Sequence, residues 1–225
     1  MSVIPMNRLP HSNIEISALG LALAITQKRG ERLSVLQIGA CDGTVGDPLY
    51  HQIRRGSPIK ATLVEPIPTN FERLKKSYEG IPHVALVNAA VGTVDGDATI
   101  YSVKDEGRWM GSKWAPQWAS FSHEHLLKHG VYPTEIESQT VQTLTLETLI
   151  KGVKMDFVEF LMIDTEGFDG PVLSMALEMT HLPQFICFEH LHLKEEEVEA
   201  LYNSLFSMNY RWIHDRMNTL AIKLD

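Results

Sequence analysis

The stretch Val35-Leu36-Gln37-Ile38-Gly39-Ala40-Cys41-Asp42-Gly43 decides the fold. An apolar run that ends in a glycine-bracketed turn reads as a buried strand feeding a ligand-binding loop. Gly39 and Gly43 permit tight turns and close approach of a ligand to the backbone. Thr62-Leu63-Val64-Glu65-Pro66 repeats the arrangement, a short strand that ends in a carboxylate. Two acids at neighbouring strand ends suit a ligand with a cationic head group and a ribose. A turn built for a pyrophosphate would have little use for Asp42, because the negative charges repel.

Outward from these turns, strands and helices alternate, the pattern of a mostly parallel sheet covered on both faces. Strands are expected at Leu33–Ile38, Ala61–Glu65, Val84–Asn88, Phe157–Ile163 and Phe185–Glu189. Helices are expected from Pro48 to about Arg55, and over Pro68–Tyr78, Leu146–Lys151, Phe168–Ala176 and Glu195–Ser207. Tyr210–His214 and Thr219–Leu224 read as a closing antiparallel pair. Ala98–Val103 alternates like an added strand, and order returns at Gln139–Thr143. Between them, Lys104 to Ser138 breaks the rhythm. It holds Trp109, Trp114 and Trp118 and a short helical piece near Ser122–His129, and its length marks a lid or substrate insertion.

Composition narrows the classes. The 225 residues are 44% hydrophobic, enough for a full core. A net charge of −8 argues against a nucleic-acid groove, which needs a basic field. Two cysteines, Cys41 and Cys187, read as free thiols in a reducing compartment. The run Ile14 to Ile25 superficially resembles a leader, but Glu15 interrupts it and it is too short to span a bilayer. It reads as an N-terminal amphipathic helix within residues 1–30, capped by Ser12 or Asn13 and ended by Gly30. The whole chain, 1–225, reads as one domain, with residues 104–138 as the insertion.

Candidate site residues follow from strand ends. Backbone N–H groups after the first strand can meet a carboxylate, and Asp42 can accept from an ammonium. Glu65 follows Gly43 by 22 positions, matching the acid that takes ribose hydroxyls in doubly wound folds. Asn88 and Ala89 fall where an adenine edge could be read. Asp164 ends the fourth parallel strand and faces the crevice, with Glu166 and Asp169 in the same loop. Three carboxylates this close share a proton, pair with a base or hold a hard cation; the blander reading has Glu166 and Asp169 capping the next helix. Glu189 and His190 end the fifth strand, and His190 is a candidate neutral-pH base. His125 and His129, four apart, permit metal ligation, but no further ligand pattern in the sequence supports a zinc site.

Four pieces together carry a family resemblance: Gln37 to Gly43, Leu63-Val64-Glu65-Pro66-Ile67-Pro68-Thr69-Asn70-Phe71-Glu72, Asn88-Ala89-Ala90-Val91-Gly92, and Ile163-Asp164-Thr165-Glu166-Gly167-Phe168-Asp169. In this order and spacing they resemble the FkbM-type methyltransferases, a branch of the class I S-adenosylmethionine-dependent enzymes. The resemblance covers roughly residues 33–190. Gln37 departs from it, standing where this fold often has an acid, and Cys41 stands where many members have asparagine.

The resemblance implies a Rossmann-like doubly wound sheet of about seven strands, mostly parallel, with an antiparallel C-terminal pair. It implies S-adenosylmethionine as cofactor, held by Gly39, Ala40, Asp42, Gly43, Glu65, Pro66, Asn88, Ala89 and Asp164. It implies O-methylation of a hydroxyl on a small molecule, sugar or natural product, with Asp164, His190 and Glu166 as candidate catalytic groups. A divalent metal such as magnesium, at Asp164 and Glu189, is left open. No nucleic-acid or membrane partner is expected, and the expected location is cytoplasmic; the oligomeric state is not read. Two alternatives stand beside this reading. One is a dinucleotide-using oxidoreductase, disfavoured because Gly39 to Gly46 does not read G-x-G-x-x-G. The other is a module that binds S-adenosylmethionine without catalysis.

Overall fold

The structure is a computed structural model that describes residues 14–224, without the side chains of residues 14–17. Its strands are β1 (Leu33–Ile38), β2 (Ile59–Val64), β3 (Val84–Val87), β4 (Ala90–Val91), β5 (Gly96–Val103), β6 (Ala119–Ser120), β7 (Ile136–Leu144), β8 (Phe160–Ile163), β9 (Phe185–Glu189), β10 (Tyr210–His214) and β11 (Asn218–Lys223). Its α-helices are α1 (Ile14–Arg29), α2 (Pro48–Arg54), α3 (Pro68–Ser77), α4 (His123–Lys128), α5 (Leu146–Gly152), α6 (Asp169–Leu177) and α7 (Glu195–Ser207). The main sheet runs β10-β11-β9-β8-β1-β2-β3. Neighbours from β9 to β3 pair in parallel, and β11 lies antiparallel between β9 and β10.

Period-two alternation along the central strands fills two cores, one on each face. Leu33 and Val35 of β1, Phe160 and Met162 of β8, and Phe185 and Cys187 of β9 join Leu19, Leu49 and Leu74 from α1, α2 and α3. Leu36 and Ile38, Leu161 and Ile163, and Ile186 and Phe188 join Leu149, Leu173 and Leu205 from α5, α6 and α7. Burial of each such side chain contributes about 1.5–3 kcal/mol. The near-continuous apolar strands are therefore what a sheet covered on both faces requires. Helix α1 is further tied to the residue preceding β8, Glu159, a buried acid 3.4 Å from both Arg29 Nη1 and Thr26 Oγ1. The expected caps of α1, Ser12 and Asn13, lie outside the described residues.

One sequence expectation needs correction. The fourth parallel strand starts at Phe160 rather than Phe157; Phe157 is exposed, and its carbonyl accepts from the Ser34 hydroxyl at 2.9 Å instead of joining a ladder. Ala98–Val103 and Gln139–Thr143, whose sheet the sequence left unassigned, lie outside the main sheet. They belong to a separate four-stranded sheet, β4-β7-β5-β6, in which β5 and β7 pair antiparallel from Gly96↔Thr143 to Val103↔Ile136. Both strands mix exposed, partly buried and buried positions, so their pattern alone could not say which sheet they join. The intervening segment carries β6, α4 and three short 3-10 turns. Both cysteines are free thiols. Among the described residues no helix is long and apolar enough to cross a membrane.

Candidate functional site

A cavity opens over the carboxyl ends of β1, β2 and β8, where ligands sit in open α/β sheets. The turn after β1 forms its floor. Gly39 has φ +86°, and a Cβ there would lie 1.7 Å from the Asp164 carbonyl oxygen. Glycine at this position therefore lets the turn close against the end of β8. Gly43, at φ +68°, faces away from the cavity; a Cβ would meet Leu74 and Tyr78 of the α3 layer at 2.5 and 2.6 Å. The N–H groups of Gly39 and Ala40 both donate to the Val64 carbonyl at 3.0 Å. These two donors are engaged within the fold, not aimed at a ligand carboxylate as the sequence suggested.

Glu65 is buried in the cavity wall. Its Oε2 accepts from Cys41 N at 2.9 Å and its Oε1 from Ile67 N at 2.8 Å. The Asn70 side chain is a third partner, and the carboxylate keeps lone-pair capacity for a further donor. Burial outweighs these bonds and pushes the carboxyl up to about 7. Asp42, by contrast, folds onto its own turn. Its Oδ1 accepts from Thr44 N at 2.8 Å, Thr44 Oγ1 at 2.9 Å and Val45 N at 3.2 Å. It does not line the cavity, and a carboxylate so occupied behaves as an Asx-type turn residue. Pro66 and Ala89 line the cavity. Asn88 does not; its amide donates to the Glu65 carbonyl at 2.8 Å and bridges the ends of β2 and β3.

Sequence reasoning passed over Asp47. It caps α2, with Oδ1 accepting from Leu49 N at 2.7 Å, and its other oxygen accepts from Gln37 Nε2 at 3.4 Å. Burial raises its carboxyl to about 6. Both residues line the cavity, and Gln37 Oε1 is buried there without a hydrogen-bond partner in the protein. An orphan acceptor beside a buried carboxyl is a place for a cationic donor. The available signal was an aspartate directly before a helix-starting proline, which reads only as a cap.

Asp164 lines the opposite wall and is open to solvent. Glu166 lines it too, but its Oε2 is 2.9 Å from His125 Nε2. Asp169 is fully buried and structural. It accepts from Thr165 N at 3.1 Å, Thr165 Oγ1 at 2.8 Å and Glu189 N at 3.1 Å, stitching the loop after β8 to the end of β9. His190 lies outside the cavity lining, with Nδ1 3.0 Å from Thr219 Oγ1; burial, then neighbouring His214, lowers its pKa. Glu189 is buried, with Oε2 3.5 Å from His192 Nε2.

The segment between β5 and β7 reaches the same cavity through Pro116, Gln117, Ala119 and Phe121. Gln117 Nε2 donates to the Val45 carbonyl at 3.1 Å, and Asn70 Nδ2 donates to the Pro116 carbonyl at 2.8 Å. None of the three tryptophans lines the cavity. Trp109 and Trp118 meet edge to face at 5.3 Å, Trp118 stacks on His129 at 5.1 Å, and Trp114 is exposed. The aromatic at the cavity is Phe121, packed edge to face on Phe168 at 5.0 Å. His125 and His129 of the α4 turn meet His192 from the loop after β9, with ring centroids 4.6–5.0 Å apart. Among the described residues, the cluster of three or more ligand-type side chains is His125, His129, Glu166 and His192. Asp164 and Glu189, the pair raised for magnesium, are not in it.

The sheet order and the cavity over its strand ends define a Rossmann-like scaffold of the kind that class I methyltransferases share. Among solved structures, the METTL16 MTase domain is similar with a TM-score of 0.55 at 13% identity, covering 99% of this chain and 71% of that one. A mutant of MtNAS gives 0.42 at 10% identity over 94% of this chain, and the Methanococcus jannaschii fibrillarin pre-rRNA processing protein gives 0.44 at 9% over 86%. The chain spans 60% and 66% of the lengths of those two. No curated protein sequence matches it. The methyltransferase FkbM domain matches residues 37–212, and the chain belongs to that family of class I S-adenosylmethionine-dependent methyltransferases. Membership removes the dinucleotide oxidoreductase alternative.

Proposed function

We propose that the chain transfers a methyl group from S-adenosylmethionine to a hydroxyl oxygen on a small molecule or sugar. The observation that carries this reading is the cavity itself. It pairs a buried, unpartnered Gln37 Oε1 and the buried Asp47 carboxyl on one side with Glu65 on the other. Those acceptors suit the two ends of the cofactor. Gln37 and Asp47 would take the methionine ammonium, and Glu65 would take ribose hydroxyls with its remaining lone pairs. When bound, the cofactor supplies a methyl group on a cationic sulfonium.

Methyl transfer is an in-line displacement, so positioning and exclusion of water carry most of the rate. A hydroxyl is a poor nucleophile until its proton leaves. Asp164, open at the cavity mouth, accepts the hydroxyl hydrogen bond and takes the proton as the oxygen attacks. His190, outside the cavity and bonded to Thr219, is the weaker candidate base. Residues 104–138 act as the cover on the acceptor side, through Pro116, Gln117 and Phe121. The net charge of −8 favours a small acceptor over a polynucleotide.

The test is mass spectrometry of hydroxylated small molecules, sugars and RNA incubated with the protein and an isotopically labelled methyl donor. One labelled methyl on a small-molecule hydroxyl is expected. Methylation confined to RNA, lost steeply as salt rises, overturns the acceptor class. Donor binding with no acceptor methylated leaves a binding module.

A further inference from the structure

We propose that His125, His129, His192 and Glu166 bind one divalent transition-metal ion of the zinc class, and that this ion ties the segment between β5 and β7 to the ends of β8 and β9. The site rests on its own residues and stands whether or not the methyl-transfer reading does.

Distances carry the first argument. Glu166 Oε2 lies 2.9 Å from His125 Nε2, 3.6 Å from His129 Nε2 and 3.9 Å from His192 Nε2. His125 Nε2 and His129 Nε2 are 3.1 Å apart, and one ligand atom from each of the four residues lies within 4.8 Å of every other. Ligand atoms about 2.0–2.1 Å from a tetrahedral ion stand about 3.3 Å from one another. The four separations, 2.9 to 3.9 Å, bracket that spacing.

Proton accounting carries the second. A carboxylate only accepts, so His125 Nε2 must hold a hydrogen to bond Glu166. His129 Nε2 approaches that same nitrogen, and a single N–H cannot point in line at both. With a cation at the centre, all four atoms present lone pairs and the conflict disappears. Glu189 Oε2, 3.5 Å from His192 Nε2, places a further carboxyl beside the group.

The surroundings hold the ligands in place. Ser122 caps α4 by accepting from His125 N at 3.3 Å, and the spacing of four puts His125 and His129 on one face. Trp118 stacks on His129. Glu166 sits at φ +51°, a conformation that costs about 1–3 kcal/mol and needs support from its surroundings. Ser120 supports it, its hydroxyl donating to the Glu166 carbonyl at 2.7 Å. Three imidazoles and one carboxylate suit zinc or its first-row neighbours; magnesium, which prefers an all-oxygen octahedron, does not fit. Four protein ligands with no open position describe a closed, structural site. The ligands come from α4 with its cap, the loop after β8 and the loop after β9, so the ion would cross-link three separate segments.

The experiment is a titration of the full chain with Co²⁺ followed by visible absorbance, with elemental analysis of zinc after dialysis against Zn²⁺. One zinc per chain and the visible bands of tetrahedral cobalt are expected. Chelation should lower the melting temperature and expose residues 104–138 to protease first. His129→Ala and His192→Ala should each weaken Co²⁺ binding by more than about a hundredfold, beyond what outer-sphere changes cost. His123→Ala, on the same helix but outside the cluster, should leave it unchanged. No cobalt bands in the wild-type protein, or equal zinc in wild type and His129→Ala, overturns the site. The wild-type titration decides even if a variant misfolds. Calorimetry of S-adenosylmethionine on the same sample reports separately on the methyl-transfer reading.

Discussion

The two ends of the cavity are built from different materials. At the ends of β1 and β2, carboxylates are held mainly by backbone donors. Asp42 takes three donors from its own turn, Asp47 caps a helix, and Glu65 joins the turn after β1 to the start of α3. At the ends of β8 and β9, side chains meet side chains: three imidazoles on a carboxylate, an indole on an imidazole, and one phenyl ring on another. The first end is stiff before any ligand arrives, since each bond also fixes main chain. The second depends on a segment that reaches the sheet through few main-chain bonds, so its geometry can be set by what binds there. A pre-formed donor side and a ligand-dependent acceptor side divide binding from specificity.

The largest effect expected from breaking the stiff end is at Gly39. Gly39→Ala drives a Cβ to 1.7 Å from the Asp164 carbonyl while keeping a left-handed backbone. The turn and β8 must separate, at a cost of at least about 3 kcal/mol. Urea unfolding should show a lower midpoint, and calorimetry should show donor binding lost. Gly20→Ala is the control: nothing lies within 4 Å of its added Cβ, and as a helical position it should gain up to about 1 kcal/mol. Equal midpoints for Gly39→Ala and wild type would show that the stiff end is not stiff.

Next in size is Asp164, which faces the meeting of the two ends. Asp164→Asn keeps the shape and removes the charge. Turnover should fall about a hundredfold or more, with donor affinity changed far less. A fall in donor affinity equal to the fall in turnover would move Asp164 from the acceptor side to the donor side.

The stiff end was legible in the sequence because its chemistry is local. Gly39, Gly43 and Glu65 lie at strand ends whose apolar runs announce them, and the parallel sheet follows from those runs. What escaped was the set of partners. Asp42 was read towards a ligand, yet its nearest donors are two and three residues away, and a turn satisfies itself first. Gln37 looked like a missing anchor, while its partner Asp47 was hidden in the role of a cap. At the other end, His125 and His129 were visible as a pair four apart. Glu166 and His192 join them only once β8 and β9 lie side by side, a juxtaposition no local spacing encodes. The second sheet escaped for a related reason, since alternation in β5 and β7 fixes a strand but not its partner.

A smaller effect tests how Glu65 works. Glu65→Ala removes a buried charge-assisted acceptor, worth about 1.5–3 kcal/mol, so donor affinity should drop about ten- to hundredfold. The pH dependence gives the sign independently. The carboxyl sits at about 7 before a ligand arrives, and ribose donors favour its ionised form. Below pH 7 the ligand must therefore displace a proton, and affinity falls as pH falls. Calorimetry should find S-adenosylhomocysteine binding about tenfold tighter at pH 8 than at pH 6, with most of that slope lost in Glu65→Ala and only a residual effect of about twofold left from Asp47. A pH-independent affinity in the wild type would mean that donor hydroxyls do not meet this carboxylate.

The smallest effect separates the aromatics of the ligand-dependent end. The tryptophans dominate that segment by size, but the cavity wall carries Phe121 instead. Phe121 leans on Phe168, at the N-terminus of α6, so truncating it removes cavity wall without touching the carboxylates across from it. Phe121→Ala should raise the acceptor KM several-fold, equivalent to about 1 kcal/mol of lost apolar contact, and leave donor affinity within about twofold. Trp114→Ala should change neither, because that ring is exposed and outside the cavity. If Trp114→Ala proved the more damaging for KM, the acceptor would lie on the outer face of the segment rather than beneath it, and residues 104–138 would be a platform instead of a cover. If Phe121→Ala weakened donor and acceptor equally, the division between a stiff donor end and a ligand-dependent acceptor end would fail at its point of contact.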